Sequence, residues 1–163
     1  MPLSPGTRAP DIMLTRDDDM PFILHELTHD NPVVLAFFKV SCPTCQLTFP
    51  YLERLYRRME REGAELIGIS QDAAPEVKAF RQQFGITFPI ALDAPRYTAS
   101  RAYDVRNVPT IYIVETDGLI ARCSVGFVKK ELEQLNQYWA EAKDWLARPL
   151  FEPSDNAPEM RPG

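Results

Sequence analysis

Cysteine is scarce in this chain and its count is odd: three in 163 residues. A secreted scaffold stapled by disulfides would carry more, in even number, so disulfides are not what holds this fold. Long apolar runs are also missing. No stretch reaches the roughly 18 apolar residues of a membrane helix. Met1 to Pro10 has no apolar core behind a basic end, as an export signal would. The expectation is a cytoplasmic protein with no membrane partner. An excess of positive charge is absent too. The net charge of -5 gives no electrostatic reason to expect nucleic acid or an anionic surface as partner. No internal repeat is found. What remains is ordinary: 45% hydrophobic and 25% charged residues. The length fits one domain, which buries about two-thirds of its unfolded surface and needs no staple.

Patterning along the chain predicts alternating strands and helices. Residues 1–11 are Pro-rich surface chain, Ile12-Met13-Leu14 reads as a short edge strand, and Phe22–Leu27 as a helical turn. Val33–Phe38 is a continuous apolar run, the mark of a central strand buried on both faces. A helix then starts at Ser41-Cys42-Pro43. Leu47, Tyr51, Leu52, Leu55 and Met59 fall on one face of it, a kink is expected at Pro50, and Gly63 ends it. Glu65–Ser70 is a second buried strand, and Glu76–Phe84 a helix closed by Gly85. Phe88–Leu92 is extended, and Tyr97–Tyr103 a short helix. Thr110–Val114 is a third strand, and Asp117-Gly118 turns it into Leu119–Ser124. The last helix runs from about Lys129 to Leu146, with Leu132, Leu135, Tyr138, Trp139 and Ala142 inward. Pro149–Gly163, with four prolines, reads as a disordered tail beyond a domain over residues 1–148. This order predicts an α/β fold: a central mixed sheet with helices on both faces and an antiparallel final hairpin.

Cys42-Pro43-Thr44-Cys45 carries the chemistry. Cys42 leaves a buried strand and sits at a helix N-terminus, where unpaired N–H groups and the helix dipole favour a thiolate. Pro43 occupies a helix position where a missing N–H costs nothing. The two-residue spacing puts the second sulfur one turn away. Cys42 can attack a disulfide, and Cys45 can then attack Cys42 and release the reduced product. Pro43 and Thr44 support the site. Lys39, three residues earlier, either adds a positive charge or is simply solvated. The reaction needs no cofactor beyond a Cys42–Cys45 disulfide. The partners expected are a protein or small-molecule disulfide and a thiol reductant or oxidant. Half a zinc site is the bland alternative, but Cys123, His25 and His29 do not stand at zinc-ribbon spacing, and no metal is expected. Val108-Pro109-Thr110 places a proline at a strand start, which by itself marks only strand entry. Asp17-Asp18-Asp19 reads as a solvated loop, His25 and His29 as surface residues, Cys123 as a half-buried strand residue, and Trp139 and Trp145 as packing groups.

Cys42–Cys45 after Phe37-Phe38, Pro50 eight residues past Cys42, and Val108-Pro109-Thr110 together resemble the thioredoxin superfamily. Phe49–Leu52, Gly85–Asp93, Ala102–Val105, Asp117-Gly118 and Val125-Gly126 narrow the resemblance to the TlpA-like, AhpC/TSA redoxin branch, over residues 6–146. That branch includes the disulfide reductases of cytochrome c maturation. The resemblance implies a thiol–disulfide oxidoreductase with an extra strand–helix insertion at residues 64–93. It further implies a cis Pro109 packed on the sulfurs, and a Val108 backbone that pairs with an extended substrate. The chain departs from the pattern at three positions. Ala36 stands where thioredoxins have a buried carboxylate, Thr48 where the cytochrome-maturation reductases have Glu, and Ser41 where Trp is usual. The proton acceptor for Cys45 is therefore unassigned. A peroxiredoxin-like thiol peroxidase is one alternative, but its Pro-x-x-x-Thr-x-x-Cys frame fits neither cysteine. A copper-delivery module is another, although both histidines precede the motif instead of following it.

Overall fold

The computed structural model describes residues 1–59, 65–142 and 148–163. Its elements run β1 (Met13–Arg16), β2 (Pro21–Ile23), α1 (Leu24–Leu27), β3 (Val33–Phe38), α2 (Pro43–Arg58), β4 (Leu66–Ser70) and α3 (Ala74–Phe84). They continue as β5 (Ile90–Leu92), α4 (Thr98–Ala102), β6 (Thr110–Val114), β7 (Ile120–Val125), β8 (Phe127–Val128), α5 (Lys129–Ala142) and β9 (Met160–Arg161). Gly63, expected to end α2, and Trp145 and Leu146, expected in the last helix, lie outside the described residues.

Seven strands form one sheet in the order β2-β1-β5-β4-β3-β6-β7. β3 lies inside it, parallel to β4 on one side and antiparallel to β6 on the other. All six β3 residues are buried, as a strand covered on both faces requires. Alternation along β3 feeds two cores. Val34, Ala36 and Phe38 pack with α2, α3 and α5 through Phe49, Leu52, Phe80, Leu135 and Trp139. Val33, Leu35 and Phe37 pack on the opposite face with Leu24 of α1, Ala99 of α4, and Tyr103. The strand–helix unit expected at residues 64–93 is β4–α3–β5, a parallel crossover closed by Gly85 at φ 69°. α2 continues through Pro50 as one helix.

Four expectations need correction. The Ile12–Leu14 edge strand is instead β1, an inner strand between β2 and β5. β2 is the edge, and it begins with Pro21, a residue that fits where no ladder partner is needed. The helical turn expected at Phe22–Leu27 is present over Leu24–Leu27, and only Phe22 and Ile23 are strand instead. Ala142 is exposed, not inward.

The largest correction is the tail. Residues 148–163 pack against the domain. Leu150 and Phe151 are buried in the main core, with Phe151 on Tyr51 (ring centroids 4.4 Å apart) and Phe127. Arg58 donates to the Arg148 and Pro149 carbonyls at 2.9 Å each. Arg54 donates to the Leu150 carbonyl at 2.9 Å and grips Asp155 through two bonds of 2.8 and 3.0 Å. A 3-10 turn at Pro153–Asp155 follows, and β9 then pairs antiparallel with β8. Proline and charge make this segment look like linker. Two apolar anchors and two arginines on α2 decide otherwise.

Candidate active site

β3 and β4 run parallel, so the chain leaves both at the same end of the sheet. Their carboxyl ends are where an α/β sheet opens a site. Lys39 to Cys42 form the turn out of β3, closed by the Cys42 N–H donating to the Lys39 carbonyl at 3.1 Å. Gln46 braces it by donating to the Val40 carbonyl at 2.9 Å. Cys42 is the N-cap of α2, and its sulfur accepts the Cys45 N–H at 3.3 Å, one of the donors a helix start leaves unpaired. Its thiol donates to the Val108 carbonyl at 3.4 Å. Cys42 is half-buried. Cys45, one turn on, has no exposed surface. Both thiols are free. Burial pushes the Cys45 thiol well above its ordinary value of 9.0. A backbone hydrogen bond from Lys39 opposes that rise, while Cys42 and the carboxylate of Asp72 add to it.

The other expected residues converge here. The Val108–Pro109 bond is cis and Pro109 is buried. The Pro109 carbonyl accepts from the Gly126 N–H at 2.8 Å. Pro43 is the exposed first residue of α2. Thr44 is buried, and its hydroxyl donates to the Pro162 carbonyl at 2.7 Å. Lys39 acts through its backbone, and its side chain is exposed. Ala36 and Thr48, at the positions of the missing carboxylates, are both fully buried. The Thr48 hydroxyl is spent on the Thr44 carbonyl at 2.7 Å.

Sequence reasoning missed Asp72. It lies two residues past β4, its carboxylate accepts the Val40 N–H at 2.8 Å, and its charge acts on Cys45. The available signal was positional: the residue after a strand parallel to β3 returns to the end of the sheet where the motif lies. The closing segment, which brings Pro162 to Thr44 and Gly163 to Val108, was missed as well.

The remaining candidates lie elsewhere. Cys123 pairs in register with Tyr112 and packs into the core on the opposite face from Cys45. Asp17 is bound by Arg81 at 2.5 and 3.0 Å, and Asp18 by Arg16 at 2.5 Å. His25 and His29 are exposed. Among the described residues no three His, Cys, Asp or Glu side chains gather as metal ligands, and no helix is long and apolar enough to cross a membrane.

A dithiol at the start of the helix that follows a central buried strand, faced by a cis-proline loop, defines a redoxin of thioredoxin-like fold. The chain belongs to the AhpC/TSA family, whose model matches residues 5–123. It is 30% identical over 129 residues to the thiol-disulfide oxidoreductase ResA of Geobacillus thermodenitrificans, covering 77% of this chain and 72% of that protein. To ResA of Bacillus subtilis it is 26% identical over 131 residues, covering 80% and 72%. A solved structure from Chlorobium tepidum, described as a thiol:disulfide interchange protein DsbE, superposes with a TM-score of 0.75. The identity there is 26%, and the match covers 86% of this chain and 98% of that one. The chain is a thiol–disulfide oxidoreductase.

Proposed function

We propose that Cys42 is the attacking thiolate and Cys45 the resolving thiol of an exchange with disulfide-bearing substrates. The observation that carries the assignment is the contrast between the two sulfurs. Cys42 is reachable and accepts a helix N-terminal N–H, whereas Cys45 is sealed behind it with its proton held. The Cys42 thiolate attacks one sulfur of the substrate disulfide. A Cys42–substrate bond forms, the substrate disulfide breaks, and the leaving thiolate takes a proton from solvent. Cys45 then loses its proton and attacks the Cys42 sulfur. The Cys42–Cys45 disulfide forms and the second substrate thiolate departs. Two electrons have passed to the substrate, and a thiol reductant returns them. The same steps run backwards oxidise a dithiol. The two sulfurs do this without a further cofactor. Asp72 is the group we assign to accept the Cys45 proton, standing in for the carboxylates absent at Ala36 and Thr48. Val108 and Pro109 form the opposite wall, with the Val108 carbonyl against the attacking sulfur.

Reduction of insulin disulfides in the presence of dithiothreitol tests the assignment. Cys42→Ser should reduce the rate to that of dithiothreitol alone. Full activity in that variant would remove Cys42 from the mechanism.

A further inference from the structure

Residues 159–163 cross the mouth of the site. β9 adds antiparallel to β8, with Arg161 opposite Phe127 and Met160 opposite Val128. The Lys129 N–H donates to the Glu159 carbonyl at 3.0 Å. Next, the Pro162 carbonyl takes the Thr44 hydroxyl at 2.7 Å, inside the Cys-Pro-Thr-Cys motif. Gly163 then rests on the Val108 peptide. A Cβ at Gly163 would lie 2.1 Å from the Val108 oxygen, 2.8 Å from its carbonyl carbon and 3.3 Å from its nitrogen. That same oxygen accepts the Cys42 thiol. Gly126, at φ 77°, completes the fit, since a Cβ there would come within 2.8 Å of the Arg161 oxygen.

Met160, Arg161, Pro162 and Gly163 are all exposed. Burial of their side chains therefore does not hold the strand. Main-chain pairing and the Thr44 hydroxyl do. An edge that takes a strand through its backbone takes extended polypeptide in general, because the recognition tolerates most side chains. A polypeptide bringing a disulfide to Cys42 along this edge must compete with residues 159–163. A second opening lies on the Lys39 side of the turn out of β3. An open cleft of about 440 Å³ lies there, walled by Lys39, Gln71, Arg101 and Asp104 among others. Asp104 is paired with Arg106 at 3.1 Å. Lys39 and Arg101 offer cationic donors suited to carboxylates, and the volume suits a small molecule.

Resting on Cys42 as the attacking thiol, we propose that residues 159–163 form a substrate-mimicking strap. The strap fills the strand-accepting edge beside Cys42. The dithiol then takes small carboxylate-bearing disulfides directly, and takes polypeptide disulfides only while the strap is lifted. A competitor seated about nine-tenths of the time slows the competing substrate about tenfold.

The test uses the full chain with Gly163→Val, an exposed position where the added side chain collides with the Val108 peptide. Reduced protein is oxidised in single turnovers by insulin and by oxidised glutathione. The variant should react about tenfold faster with insulin, with its glutathione rate unchanged. Arg101→Ala should slow oxidised glutathione but not the uncharged 2-hydroxyethyl disulfide. An unchanged insulin rate in Gly163→Val, with glutathione still reactive, overturns the strap and leaves the dithiol assignment standing. Equal effects of Arg101→Ala on the two small disulfides remove the cleft from the proposal. Failure of every disulfide to oxidise the parent protein overturns the Cys42 assignment, and the strap with it.

Discussion

Cys45 combines two demands that conflict. Full burial protects it from outside oxidants but holds its proton, and the neighbouring Asp72 charge tightens that hold. A sulfur so placed resolves a mixed disulfide only if a base takes its proton, the role proposed above for Asp72. Asp72→Asn removes the base and keeps an oxygen for the Val40 N–H. Resolution of the mixed disulfide at pH 7 should slow by about a hundredfold, the lower end of what a positioned base supplies. Because the Cys45 thiol titrates above 9.0, the deficit should shrink as pH rises and solvent base takes over. Stopped-flow resolution rates across pH 6 to 10 check this, and a faster variant at pH 7 would show that Asp72 merely repels the thiolate. The motif made Cys42 and Cys45 legible, because two-residue spacing at a helix start has few other uses, whereas Pro109 was legible only through the family resemblance. Asp72 stands 27 residues beyond Cys45, and only the parallel β3–β4 pairing brings it back.

At the scale of elements, periodicity made the central features readable. The apolar run of Val33–Phe38 became a central strand, and Gly85 closed α3 as a left-handed cap. Edges were read less well. β1 and β2 are too short to announce which of them lies outside. The closing segment was misread because composition averages over residues, while a segment is tied down by particular ones. Leu150, Phe151 and Asp155 outweigh the surrounding prolines through the core and Arg54. Phe151→Ala should therefore cost about 3 kcal/mol of stability, the usual range for emptying a buried aromatic site. Urea denaturation of the two proteins measures it, and equal midpoints would mean the segment is not packed.

In the whole molecule, one sheet separates two cores, and the dithiol lies with one of them. Cys42 and Cys45 stand with α2 on one face. Cys123 packs with Tyr112 on the other, where burial raises its thiol as well. Three cysteines thus divide into a close pair and a remote third. The measurement that tests this most directly is a trap. Cys45→Ala is reduced, mixed with an oxidised protein disulfide, quenched with acid, and its adduct mapped by peptide mass spectrometry. The arrangement predicts a stable mixed disulfide through Cys42, since the resolving sulfur is gone. An adduct through Cys123, or turnover with no adduct at all, would contradict it.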